Sequence, residues 1–202
     1  MSDETNNPSP DPSQPSGSSG AHSQHVQHSP VGARLPEHVT PGVFCTGVIV
    51  MEGPQEFVLD FVQTLCRPPR VGVRVVLSPN VMSLFVGALK ENLQKFEQAF
   101  GSPKPRPPPN TDRRPSIQEV YQDLKLPDEL LSGVYANMVM IGHSPAEFSL
   151  DFITRFFPTA AVSARVYLSA SQVPQVLNGL TTSLQNRLNR ESGQQGKPPA
   201  SP

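Results

Sequence analysis

Residues 54–61 read PQEFVLDF, and residues 145–152 read PAEFSLDF. The same offset of 91 residues aligns 35–97 with 126–188 without a gap, and 19 of the 63 aligned positions are identical. Self-similarity at a fixed offset is the signature of one structural unit used twice. The duplication therefore decides the architecture, and it leaves the biochemical role open.

Proline is concentrated outside the two repeats. The chain has 202 residues and 24 prolines. Proline-rich segments with few large apolar residues cannot bury enough surface to offset the entropy of ordering. We therefore expect a disordered tail over 1–34, a first repeat over 35–101, a proline-rich basic linker over 102–116, a second repeat over 117–190 and a disordered tail over 191–202.

The charge and the cysteines limit the class of protein. A formal net charge of -1 provides no general attraction to nucleic acid or to an anionic membrane. No apolar run reaches the ~20 residues of a membrane helix, and residues 1–30 contain no hydrophobic stretch that resembles a signal peptide. Cys45 and Cys66 are replaced by Ala136 and Phe157 in the second repeat, which favours reduced thiols. We expect a cytoplasmic protein.

Apolar and polar residues alternate three times in each repeat and then adopt a helical spacing, which predicts three strands and a long helix. The predicted strands span 44–50, 57–61 and 71–77 in the first repeat, and 134–141, 148–156 and 162–168 in the second.

Capping signals mark where the helices begin and end. Ser78 followed by a proline is an N-cap signal, and Gly101 is a stop signal. Pro174 places the start of the last helix near Ser171, because proline is tolerated only in the first turn. Ser116 and the glutamate three residues later form a capping box that predicts a short extra helix.

These patterns predict an α+β fold. It consists of two tandem βββα repeats, each an antiparallel meander with a long amphipathic helix. A lone unit of this size has a marginal core. We therefore expect the two repeats to pack as one pseudo-symmetric domain. The sequence leaves open whether each helix covers its own sheet or that of the other repeat.

The second repeat carries the clearest family signature. Its segments are LPDE at 126–129, GVYAN at 133–137, HSPAEFSLDF at 143–152 and ARVYLS at 164–169. This signature resembles a family of small prokaryotic domains of unknown function, which usually carry one such unit per chain. The resemblance implies a fold unit and a two-copy assembly, and it transfers no catalytic residue.

Two pairs of charged residues recur on otherwise apolar strands. Asp60 and Arg74 match Asp151 and Arg165, and hairpin turns near residues 67 and 158 place the members of each pair opposite one another. Directly opposed residues have Cβ atoms about 4.5–5.5 Å apart. We interpret them as structural ion pairs that fix the strand register. A binding role for the arginines is the alternative.

Other polar residues offer weaker candidates. Lys104, Arg106, Arg113 and Arg114 form a basic linker that could contact phosphates. His22, His25 and His28 are spaced like metal ligands, but we interpret them as solvated tail residues. His143 lies at a turn in one repeat only and is interpreted as structural. Glu56 and Asp60 lie about 13 Å apart along one strand, which is too far for a carboxylate pair.

The sequence contains no phosphate-binding loop, zinc spacing or nucleophile elbow. It therefore predicts no catalytic residue, metal site or cofactor. We expect a non-enzymatic protein–protein interaction or scaffold protein that is a monomeric pseudo-dimer or a low-order oligomer. We expect its partner to be another protein, which the sequence does not identify. The alternatives are nucleic-acid binding by the sheet or the basic linker, and small-ligand binding between the repeats.

Overall fold

The computed structural model describes residues 32–104, 116–156 and 158–195. The strands are β1 (Val43–Cys45), β2 (Gly47–Glu52), β3 (Phe57–Gln63), β4 (Arg70–Leu77), β5 (Val134–Ala136), β6 (Met138–His143), β7 (Glu147–Arg155) and β8 (Ala160–Ser169). The α-helices are α1 (Pro79–Phe100), α2 (Ile117–Asp123) and α3 (Val173–Gln195), and 3₁₀ turns span Asp128–Leu130 and Ala170–Gln172.

The described strands form two four-stranded sheets, which confirms the α+β prediction. The first sheet has the order β2-β3-β4-β5, and the second has the order β1-β8-β7-β6. Each sheet is an antiparallel meander of one repeat, extended by a short parallel strand from the other repeat. The exchange is reciprocal, so the repeats form one pseudo-symmetric domain.

The prediction of one continuous first strand in each repeat is wrong. The strand breaks at Thr46 and at Asn137, and the residues before each break join the sheet of the other repeat. The backbone N–H of Thr46 donates to the carbonyl of Val62 at 2.7 Å, and its hydroxyl donates to the same oxygen at 3.1 Å. These bonds satisfy the backbone where the chain leaves one sheet for the other.

Two glycines start the exchanged strands. Gly42 and Gly133 have φ values of 63° and 64°, a region that favours glycine. A Cβ atom added at Gly133 would lie 2.8 Å from Cγ of Arg74, and one at Gly42 would lie 2.9 Å from Cγ of Arg165. Both positions therefore require glycine for conformation and for space.

Each long helix packs mainly on the sheet of the other repeat, which answers the question that the sequence left open. From α1, the rings of Phe85 and Phe96 lie 5.5 Å and 5.3 Å from those of Phe152 and Phe148. From α3, the guanidinium of Arg187 lies 5.7 Å from the ring centre of Phe57. The two helices also contact one another.

The two sheets and the two long helices enclose one core. Phe61 and Phe152, at equivalent positions in the two repeats, meet with ring centres 5.4 Å apart. Most of the buried apolar residues of both repeats belong to one cluster, and Val39, Ile153 and Val162 form a smaller one. Among the described helices, none is long and apolar enough to cross a membrane.

The helix boundaries follow the capping signals closely. Ser78 caps α1, Gly101 ends it, and the capping box at Ser116 opens α2, all as predicted. The last helix differs, because the 3₁₀ turn delays α3 to Val173, although Pro174 still lies in the first turn.

The predicted tails also differ from the structure at their inner ends. The tail over 191–202 is wrong for residues 191–195, because α3 continues to Gln195. The tail over 1–34 is wrong for Arg34, which exchanges backbone hydrogen bonds of 2.8 Å with Ala160 and Val162. A short parallel bridge to β8 thus orders the end of this segment.

Candidate functional site

Asp60 and Arg74 face one another across β3 and β4. Nε and Nη2 of Arg74 donate to the two carboxylate oxygens of Asp60, both at 2.7 Å. Nη1 of the same guanidinium donates to the carbonyl of Leu131 at 3.1 Å. The pair therefore joins β3, β4 and the chain that enters the second repeat. The hydrogen bonds to Asp60 raise the pKa of Arg74 above its ordinary value.

Tyr121 of α2 adds a third donor to the buried carboxylate. Its hydroxyl donates to Oδ2 of Asp60 and also lies 3.7 Å from Sδ of Met51. Burial, followed by the hydrogen bond to Asp60, raises the pKa of Tyr121 well above its ordinary value. The α2 segment thus covers the outer face of the first sheet, and the Asp60 side chain is 0% exposed.

Asp151 and Arg165 form the same bidentate pair in the second repeat. The Nε and Nη2 atoms of Arg165 donate to the two Asp151 oxygens at 2.7 Å. The hydrogen bonds to Asp151 raise the pKa of Arg165 above its ordinary value. The side chain of Asp151, however, is 19% exposed. The two pairs have the same geometry and differ in what covers them.

The outer faces of the two sheets can be compared position by position. The first outer face consists of Ile49, Met51, Asp60 and Arg74, and all four are buried or half-buried. The equivalent residues Met140, Gly142, Asp151 and Arg165 form the second outer face. There Met140 is 55% exposed, and Gly142 is also exposed.

A pair of exposed aromatic rings lies where β5 and β7 end. Tyr135 and Phe156 stack with ring centres 6.1 Å apart and an angle of 6° between the planes. They are 44% and 56% exposed. At the equivalent positions of the first repeat, Phe44 and Leu65 are exposed and line one shallow depression.

The sequence interpretation did not identify these four residues. The signal was present, because large apolar side chains stand 21 residues apart at matching places in both repeats. Phe44 and Tyr135 lie on the exchanged strands β1 and β5, and that exchange was not predicted. Leu65 and Phe156 lie just beyond the ends of β3 and β7.

The remaining candidates from the sequence do not form a site among the described residues. His143 packs against the rings of Phe96, Phe100 and Phe148, which places it at the edge of the core. Lys104 lies just beyond α1. The other basic linker residues Arg106, Arg113 and Arg114, and the histidines His22, His25 and His28, lie outside the described residues.

A cleft of about 230 Å³ lies between the repeats. Its lining includes both strand-leading valines, Val43 and Val134, together with His38 and parts of Arg74 and Arg165. Pockets for drug-sized ligands usually measure about 300–1,000 Å³. The cleft is thus smaller than a typical ligand pocket, and Asp60 and Asp151 already engage both of its guanidinium groups.

Comparison with known proteins places the chain in a family. No curated protein and no solved structure matches it. The family described as "Protein of unknown function (DUF3467)" matches twice, over residues 1–105 and 106–192. The two matches agree with the tandem duplication and together span nearly the whole chain. The chain therefore belongs to the DUF3467 family and carries its unit in two copies.

Proposed function

We propose that the protein is a non-enzymatic protein–protein interaction or scaffold protein, built as a fused pseudo-dimer and located in the cytoplasm. The observation that carries the proposal is the pair of exposed apolar patches, Tyr135 with Phe156 and Phe44 with Leu65. Clustered exposed apolar side chains mark interaction surfaces, and aromatic residues are enriched in protein interfaces.

The duplication itself supports this proposal. Both repeats keep a large apolar residue at each of the two patch positions, although most other aligned positions differ. A patch of this kind exposes apolar surface to water, and a partner would remove that cost. The two patches also differ, because one is an aromatic stack and the other pairs an aromatic ring with a leucine. This difference suits two unlike partners or one asymmetric partner.

The reciprocal strand and helix exchange supports the pseudo-dimer. Single-unit relatives would form the same contacts between two chains around a two-fold axis. In this chain the two-fold axis relates two repeats of the same polypeptide. We therefore expect a monomer or a low-order oligomer. The free thiols of Cys45 and Cys66 suit the reducing cytoplasm.

Nucleic-acid binding is the second candidate. The exposed stack of Tyr135 and Phe156 could hold an unpaired base, as aromatic side chains do in single-strand binding proteins. The basic linker residues would add phosphate contacts. Small-ligand binding between the repeats has less support, because Asp60 and Asp151 already pair with the two guanidinium groups that line the cleft.

The test compares affinity capture by the natural chain with capture by a double variant, Tyr135→Ser with Phe156→Ser. The matched control is Leu84→Ser, which changes a 72% exposed leucine of α1 and leaves the patch intact. Partners that the double variant loses and the control retains would support the proposal. Equal capture by all three proteins would contradict it.

A nucleic-acid assay separates the second candidate from the first. Single-stranded DNA and RNA are titrated with the natural chain at several salt concentrations. Binding that persists at physiological salt, weakens as salt rises and disappears in the double variant would favour nucleic-acid binding. An absence of binding would leave the protein-interaction proposal as the better supported of the two.

A further inference from the structure

We propose that the second outer face binds a short helix of a partner protein, and that this helix donates a tyrosine hydroxyl to Asp151. The inference rests on the proposed function and specifies the chemistry of one partner. It starts from α2, which lies on the equivalent face of the first sheet and donates the hydroxyl of Tyr121 to Asp60. The contact of α2 with the first outer face is therefore the template for the helix that we propose on the second outer face.

The polar centre of the two faces is the same. In both pairs the arginine donates through Nε and Nη2, and all four distances are 2.7 Å. A carboxylate has room for about four hydrogen bonds, so each aspartate can accept more than its arginine supplies. Asp60 uses this capacity for Tyr121. The partial exposure of Asp151 leaves the same position open to a donor.

The residues beside the two ion pairs occupy equivalent positions on the two outer faces, but they differ in size at one position. Met140 stands where the first face has Ile49, and it is 55% exposed. Gly142 stands where the first face has Met51, the residue that contacts the Tyr121 hydroxyl. Tyr167 lies on the same face as Arg165, near its guanidinium, and its ring packs against Gly42 beside β1. Met140 and Gly142 lie on β6 at the other edge of the sheet, and both stay exposed. The second face is therefore a more open version of the first.

The inward face of α2 indicates what the partner helix should present. Val120 and Tyr121 are half-buried and Leu124 is buried, a spacing that places all three on one side. The helix begins with a capping box, so a short segment of this kind is stabilised at its start. We therefore infer a partner motif with an apolar residue, a tyrosine and a second apolar residue three positions later.

The test uses a labelled synthetic peptide with the sequence of residues 116–125 as a surrogate for the partner helix. Its binding to the full chain is measured by fluorescence anisotropy. We expect saturable binding with a Kd below about 1 mM. A peptide with Tyr121→Phe should bind about tenfold more weakly, since it lacks one charge-assisted hydrogen bond.

Variants of the full chain locate the bound peptide. Met140→Glu changes an exposed side chain and should weaken binding at least tenfold without unfolding the protein, while Leu84→Glu on α1 should have no effect. Asp151→Asn should also weaken binding. Binding that is insensitive to Met140→Glu would overturn the proposal, because the peptide would then lie elsewhere. No binding at 1 mM would overturn it as well.

One further comparison addresses the chain's own N-terminal residues. Binding that occurs only after removal of residues 1–31 would overturn the proposal in favour of these residues as the natural cover. Equal binding by both chains would support a partner. Tyr135 and Phe156 are not residues of this face, so the capture experiment can succeed when the peptide experiment fails.

Discussion

Phe96 and Arg187 occupy equivalent positions on the two long helices, and each lies over a phenylalanine of the other repeat. Phe96 packs 5.3 Å from Phe148, and the guanidinium of Arg187 lies 5.7 Å from the ring centre of Phe57. Arg187 also donates to the carbonyls of Gly53 and Pro54 at 3.1 Å and 3.0 Å. Different chemistry thus fulfils the same packing role, and each repeat completes the core of the other.

This dependence predicts the behaviour of the second repeat alone. A fragment of residues 117–190 should form a homodimer, because β5 and α3 both need a second sheet to pack on. In the dimer, β5 of one copy would pair with β8 of the other. Size-exclusion chromatography with light scattering measures the mass. A folded fragment that stays monomeric at all concentrations would contradict the exchange.

The two ion pairs should have unequal energies. Asp60→Asn leaves Arg74 without its counter-ion in a buried site and should cost roughly 3–5 kcal/mol. Asp151→Asn should cost less, about 1–3 kcal/mol, because the Asp151–Arg165 pair is better solvated. Urea denaturation of the single variants, of Arg74→Met and Arg165→Met, and of both double variants gives the coupling energies. A coupling energy of zero at both sites would mean that neither arginine stabilises the fold through its aspartate.

The hydroxyl of Tyr121 should contribute measurably to stability. Tyr121→Phe removes one hydrogen bond to Asp60 and keeps the ring, so we expect a loss of about 1–2 kcal/mol. Tyr135→Phe is the matched control, since Tyr135 is exposed and its hydroxyl has no comparable acceptor among the described contacts. Equal stabilities of the two variants in denaturant titrations would show that the Tyr121 hydroxyl contributes little to stability.

Alkaline pH should destabilise the protein through Cys45. Burial raises the pKa of this thiol from 9.0 to about 12, so the unfolded chain loses the proton first as pH rises. The contribution of Cys45 is therefore complete below pH 9 and falls by about 1.4 kcal/mol per pH unit between 9 and 12.

The measurement compares the natural chain with Cys45→Ala, which introduces the residue found at the equivalent position 136. The variant should lose less stability than the natural chain between pH 9 and pH 11, while Cys66→Ala serves as the control at a half-buried position. Parallel curves for the natural chain and Cys45→Ala would contradict the predicted role of the thiol.

Two kinds of glycine should respond in opposite directions to alanine. Gly133→Ala should destabilise by more than 1 kcal/mol, because φ is 64° and the new Cβ would lie 2.8 Å from Arg74. Gly87→Ala in α1 should stabilise by about 1 kcal/mol, since nothing lies within 4 Å of its Cβ position. Thermal melts in one buffer suffice. Stabilisation by both variants would argue against the strained turn.

The sequence predicted those features that depend on neighbouring residues. Ser78 and Gly101 bound α1 because caps act within one turn, and the pairing of Asp60 with Arg74 follows from the length of one hairpin. The break at Thr46 was missed because Phe44 lies an even number of residues before Val48 and Val50, so all three fit the period of one strand. Which sheet a three-residue strand joins depends on pairing with residues far away in the chain, such as Phe44 with Tyr167 and Tyr135 with Val76.

The candidate site shows the same limit. Both carboxylate–guanidinium pairs could be inferred from the recurrence of their residues in the two repeats. The approach of Tyr121 to Asp60 could not, because it spans 61 positions and has no counterpart at the offset of 91. This contact buries Asp60, whereas Asp151 stays partly exposed.

The exchanged strands also determine how the molecule would respond to a cut between its repeats. A cleavage between residues 104 and 116 would leave two pieces, each holding a strand in the sheet of the other and a helix across it. The exchanged strands and helices would hold the two pieces together without the linker that joined them. The covalent link then serves mainly to keep two unlike copies in a one-to-one ratio, which a dimer of separate chains cannot guarantee.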